Sequence, residues 1–141
     1  MTAAKNDLAR SFIAAIPQAR ALGLEILELG GGVAVIRMPY SEMLVGDPDT
    51  GVIHGGAVST LMDTCGGAAT IAHPANAGGT ATIGLRIDYL RAAAPGQAIT
   101  ARAECHHVTR SVAFVRATAH DDDTGRPVAT ATGTFTVESR A

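Results

Sequence analysis

Apolar positions recur along this chain with two different periods, and the changes between them mark where helices give way to strands. Leu8, Phe12, Ile13 and Ile16 fall at helical spacing and predict an amphipathic helix across 6–21. Leu24–Leu29 and Val33–Pro39 read as two strands joined by the Gly30-Gly31-Gly32 turn. Residues 40–53 carry Gly46, Asp47, Pro48, Asp49 and Gly51 and read as a loop. The helical period then returns from about Gly56 to Ala72, where Val58, Leu61, Met62, Cys65, Ala68, Ala69 and Ala72 form one apolar stripe. His73-Pro74 ends that helix, because proline cannot continue it, and Ala75–Gly79 is a linker of small residues.

Beyond the linker the period is two. Thr80–Leu90, Ala98–Val108, Ser111–His120 and Val128–Glu138 read as strands, and the last alternates Ala129, Ala131, Gly133, Phe135 and Val137 with threonines. Pro95-Gly96, Thr109-Arg110 and Asp122-Asp123-Thr124-Gly125 supply the turns, short enough that consecutive strands should pair antiparallel. One apolar helix and a long antiparallel sheet predict a sheet wrapped around a helix, a two-layer α+β architecture. The expectation is a single domain over 1–141, with 1–21 as an N-terminal helix and lead-in.

Composition narrows the possibilities. Apolar residues make up 47% and charged residues 17% of 141 positions, which excludes a disordered chain, and the length suffices to bury about two thirds of the unfolded surface. A formal net charge of −2 argues against nucleic acid or an anionic membrane as partner. No apolar stretch approaches the roughly 20 residues of a membrane span, no signal peptide is evident, and two cysteines make no disulfide framework. The expected setting is cytoplasmic. Adjacent His106 and His107 face opposite ways on a strand and cannot chelate one metal together, so no metal site and no cofactor are assigned.

The second stripe of the central helix carries the chemistry. Gly56, Ser59, Thr60, Asp63, Gly66, Gly67 and Thr70 share a face that holds small residues and one acid where a solvated face would hold Lys and Glu. Such a face admits a ligand or another backbone, and it equally suits close helix packing with a structural acid. Immediately upstream, His54-Gly55-Gly56 sets a glycine turn at the helix start, where unpaired N–H groups can hold a developing oxyanion.

With His54-Gly55-Gly56, Asp63 nine residues after the histidine, and Ile87-Asp88-Tyr89-Leu90-Arg91 followed by Pro95-Gly96, the chain resembles the hotdog-fold acyl-CoA thioesterases. The resemblance is to the PaaI-like (phenylacetate-degradation) group, which includes one type of 4-hydroxybenzoyl-CoA thioesterase. It implies that the Gly56 N–H polarises the thioester carbonyl, that Asp63 is nucleophile or general base, and that His54 shapes the turn. Thr82 is the match for a hydroxyl that positions water. Arg91 and the Arg110-Ser111 turn fall where relatives meet the phosphates and pantetheine of coenzyme A. Gly55, Thr60 and Tyr89 are further substrate-contact candidates, although a place capping the core suits Tyr89 better than one lining the acyl pocket.

Thioester hydrolysis suits so sparse a site. The departing thiol has a pKa of roughly 8.5, so no strong general acid is required. Gly56 and Asp63 stand seven residues apart, about 10 Å of helix rise, too far for one carbonyl group to meet both. Two antiparallel central helices from two chains would close that gap, predicting a homodimer with shared sites, and the resemblance adds a homotetramer of paired dimers. A non-catalytic acyl-CoA binder and a hydratase on the same fold remain the competing classes.

Overall fold

The computed structural model describes residues 2–138. The N-terminal helix expected across 6–21 is two helices, α1 (Thr2–Ala15) and α2 (Pro17–Ala21). The break lies at Ile16, which is extended (φ −75°, ψ 115°) because the following proline ring disfavours helical backbone there. Strands β1 (Glu25–Gly30) and β2 (Val33–Met38) follow. Gly31 and Gly32 take φ of +59° and +80°, the pair of left-handed conformations a two-residue hairpin turn demands.

The expected loop 40–53 contains more order than its composition suggested. A 3₁₀ turn (Glu42–Leu44) leads into a two-stranded ribbon of β3 (Val45–Asp47) and β4 (Val52–Ile53). The Asp47 carboxylate organises its tip, accepting from the Asp49 N–H at 3.0 Å and the Thr50 hydroxyl at 2.9 Å. The His54 N–H donates to the Leu44 carbonyl at 2.8 Å, which fixes where the central helix α3 (Gly55–Ile71) begins.

After α3 the small-residue linker is pinned by Asn76, fully buried, whose amide donates to the Thr70 and Gly79 carbonyls and accepts from the Gly78 and Glu138 N–H groups. Then come β5 (Thr82–Tyr89), β6 (Ile99–Val108), β7 (Val112–His120) and β8 (Ala129–Thr136). Strands β1, β2 and β5–β8 form one antiparallel sheet in the order β1-β2-β6-β7-β8-β5. Consecutive pairing holds for β1-β2, β6-β7 and β7-β8 but fails between β5 and β6. The Leu90–Ala98 connection is a crossing, anchored part-way on the β7–β8 loop, where the Ala94 N–H donates to Asp121 at 2.9 Å. This crossing leaves β5 on an edge of the sheet.

The core forms as the period-two reading predicts. Ala34, Ile36, Met38, Ile99, Ala101, Ala103, Ala113, Val115, Ala117 and Ala119 are buried, and they meet the stripe of Val58, Leu61, Met62, Cys65, Ala68 and Ala69 on α3. Alanines on the inner sheet face let the helix lie close, giving the α+β hotdog arrangement. Strand β5 departs from its pattern: a bulge between Thr82 and Gly84 turns Ile83 outward, 57% exposed, and leaves Leu85 and Ile87 half-buried beside α3.

Candidate active site

The start of α3 is built by one side chain. His54 is the N-cap, extended (φ −62°, ψ 136°), and its Nδ1 accepts the Gly56 N–H at 2.8 Å. A Cβ on residue 56 would stand 2.8 Å from that nitrogen, so glycine is what lets the cap close. The expected oxyanion donor is therefore already engaged, and this corrects the assignment to Gly56. Its neighbour Gly55 is exposed, and its N–H has no acceptor among the described residues. From the far side the Tyr89 hydroxyl donates to the Gly55 carbonyl at 2.8 Å, tying the end of β5 to the helix start. Tyr89 thus belongs to the site's frame rather than the core.

Two turns along, the Asp63 carboxylate accepts the Thr82 hydroxyl at 2.6 Å. The pair spans 19 residues and joins α3 to the first residue of β5. Together they line a groove of about 500 Å³. Ser59, Thr60 and Thr64 share its polar side, while Leu85, Ile87 and Phe135 line the other. The Thr60 and Ser59 hydroxyls both donate back to the Gly56 carbonyl at 3.0 Å, leaving Thr60 beside the groove with its proton already spent. Gly55 lines a different hollow, about 290 Å³, with Val58, Tyr89, Leu90 and Val128. Within one protomer, then, the free N–H and the acid open into separate spaces.

The small-residue stripe divides in two along its length. A Cβ on Gly66 would meet the Phe135 ring at 2.7 Å, and Thr70 is fully buried with its hydroxyl on the Gly66 carbonyl. These C-terminal turns serve packing, and the N-terminal turns face the groove. Cys65 belongs to the core, where burial pushes its thiol up to about 12.

Arg91 does not face a ligand. All five of its guanidinium donors are taken: two by the Asp121 carboxylate at 2.7 Å each, two by the Arg126 carbonyl and one by the Ala92 carbonyl. The Asp121 side chain is 1% exposed and also accepts the Ala94 and Asp123 N–H groups. The guanidinium holds this carboxyl well below the usual carboxylate range. With no donor left for phosphate, Arg91 is corrected from substrate-binding residue to the pin of the β5–β6 crossing. Sequence reading missed Asp121 because its partner lies 30 residues away. Arg110 and Ser111 occupy the β6–β7 turn, where Ser111 accepts the Val137 N–H, and neither lines the Asp63 groove. Arg86 pairs with Asp88 at 3.3 Å on the surface. Met43 is 67% exposed and Leu44 is buried, and neither lines that groove.

The profile of the thioesterase superfamily matches residues 50–128, more than half of the chain and all of the stretch from the His54 turn to Arg91. The chain belongs to the thioesterase superfamily. Among solved structures, this thioesterase is similar to a protein of Pseudomonas aeruginosa at 38% identity, with a TM-score of 0.83 over 94% of this chain and 98% of that one. It is also similar to a point mutant of the phenylacetic acid degradation protein PaaI of Thermus thermophilus, at 30% identity and a TM-score of 0.76, over 86% and 99% of the two chains. Among curated proteins, the medium/long-chain acyl-CoA thioesterase YigI of Salmonella typhimurium is 28% identical over 89% of this thioesterase and 88% of its own length. A match at 40% identity to an inferred esterase of Halobacterium salinarum covers 51% of this chain and half of that protein. The match is to a PaaI-like hotdog thioesterase.

Proposed function

We propose that this thioesterase hydrolyses acyl-CoA thioesters, with Asp63 supplying or activating the attacking oxygen and the Gly55 N–H polarising the carbonyl. The observation that carries the reading is the Asp63 carboxylate, the sole ionisable group among the described residues lining its groove, held by Thr82 at 2.6 Å. Thr82 orients the acid, and His54 holds the helix start open by capping Gly56 instead of Gly55. The developing oxyanion then meets an N–H that makes no other bond and lies at the positive end of the α3 dipole. Both groups come from the polypeptide, and the thiolate leaves unaided.

Eight residues separate Gly55 from Asp63, about 12 Å of helix rise, and both must approach one carbonyl to within about 3 Å. Two antiparallel α3 helices from two protomers bring the Gly55 of one to the Asp63 of the other. The edge position of β5 supports that reading, since an eight-residue strand paired with β8 on one side only, among the described residues, invites a second copy on the other.

A thiol-release assay across a series of acyl-CoAs tests the reaction, with Asp63→Asn expected to lose 10²- to 10⁴-fold in kcat. Full activity in that variant removes Asp63 from the chemistry, and binding without thiol release marks an acyl-CoA sensor instead. Mixing Asp63→Asn subunits with Gly55→Pro subunits should restore one site in two per mixed dimer. Verified mixed dimers without activity refute the shared site.

A further inference from the structure

The N-terminal helix carries an apolar line that the core does not use. Ala9 and Ile13 are buried and dock α1 on the domain, whereas Leu8 and Phe12, one turn apart, remain 54% and 42% exposed. A helix that only needed to dock would carry polar groups on that second line. Phe12 instead lines the groove that holds Asp63, together with Ile13, the half-buried Ile16, and Leu85 and Ile87 of β5. The groove thus has an acid and hydroxyls at one place and aliphatic or aromatic walls on two sides. Besides Asp63 itself, none of the described lining residues is charged. An acyl group bearing its own carboxylate would find no cation there and would be repelled by Asp63.

Resting on the catalytic reading above, we infer that Phe12 and Ile16 set the acyl specificity. They form the wall against which an uncharged apolar acyl group longer than acetyl lies while its thioester carbon meets Asp63. Selectivity then resides in α1 and the Ile16 junction that follows it, outside residues 50–128 where the family profile matches, and can vary without touching the chemistry. An acetyl group would leave these walls uncovered and gain nothing from them, so the preference for longer groups comes from apolar area buried against Phe12 and Ile16.

The test uses the full chain, with kcat/KM measured for acetyl-, octanoyl-, phenylacetyl- and succinyl-CoA in wild type, Phe12→Ala, Phe12→Leu and Ile16→Ala, well below each melting temperature. The octanoyl-to-acetyl ratio should fall about tenfold in Phe12→Ala and several-fold in Ile16→Ala, and recover most of its value in Phe12→Leu. Wild type should discriminate against succinyl-CoA. Ratios that stay constant across the variants, whether every substrate slows alike or none does, overturn the inference while leaving Asp63 catalysis standing. If Asp63→Asn keeps full activity, the catalytic reading fails first and this inference falls with it.

Discussion

Which of two adjacent glycines polarises the carbonyl can be decided by deleting one N–H at a time. Gly55 is the first residue of α3, where an N–H has no intrahelical acceptor and proline is well tolerated. His54 already has the extended backbone that a residue before proline requires. A Cβ at position 55 would meet the Tyr89 ring at 3.5 Å, an ordinary contact. Gly55→Pro therefore removes the free N–H with no hydrogen bond lost and a melting temperature within a few degrees of wild type. Gly55→Ala adds a Cβ and keeps the N–H.

Removing one oxyanion donor typically costs 10²- to 10³-fold in kcat, about 2.7–4 kcal/mol. That loss is the expected gap between Gly55→Pro and Gly55→Ala in a thiol-release assay. An ester in place of the 54–55 amide, installed by semisynthesis, deletes the same N–H without added atoms and should show the same loss. Gly56→Ala acts differently. Its Cβ would collide with His54 Nδ1 at 2.8 Å and open the cap, costing about 1 kcal/mol and roughly 3–4 °C of melting temperature. Should Gly55→Pro turn over as fast as Gly55→Ala while Gly56→Ala loses 10²-fold, the carbonyl sits on Gly56 and the reasoning from the His54 cap is refuted.

Two further outcomes probe the hydrogen bonds that hold the site and its frame. Thr82→Val removes the donor on the Asp63 carboxylate, a bond to a charged acceptor worth about 1.5–3 kcal/mol, so kcat should fall roughly 10- to 100-fold with KM little changed and Thr82→Ser restoring it. Unaltered kcat in Thr82→Val means that Asp63 needs no orienting partner. Asp121→Asn should melt below wild type at pH 7, because two Arg91 donors and two backbone N–H groups lose their shared carboxylate. Since Arg91 depresses the Asp121 pKa in the folded protein, this stabilisation is complete above the unfolded value of about 3.9 and fades as pH falls below it. Melting curves from pH 8 to 3 should therefore show a constant gap that narrows below about pH 4, and a gap already closing at pH 6 contradicts the assigned pairing.

Features set by near neighbours were legible from the residues, and features set by distant partners were not. The apolar stripe of α3 and the alternating faces of β6, β7 and β8 follow from spacing alone. Asp63 stood out as a lone acid, and family resemblance singled out Thr82 only as a hydroxyl that positions water; their bond was hidden because nothing local links positions 63 and 82. Arg91 reads as a free cation until the chain folds back to bring Asp121 against it. Gly55 and Gly56 look equivalent until the His54 ring chooses one of them.

The stripe of small residues on α3 shows most directly why composition alone left two readings open. Close packing and ligand access call for the same absence of side chain. On the turns holding Gly66 and Thr70 the space is filled by Phe135, and on the turns holding Ser59, Thr60 and Asp63 it stays open to the groove. What separates the two is the sheet opposite. Strand β8 brings a large ring to the turn holding Gly66, whereas β5, bulged at its start and set at the sheet edge, meets the N-terminal half through the Thr82 and Tyr89 hydroxyls and lines the groove with the smaller Leu85 and Ile87. The groove beside Asp63 thus depends on where the crossing sets β5, and Arg91, read from sequence as a ligand contact, pins the start of that crossing to Asp121 and the Arg126 carbonyl.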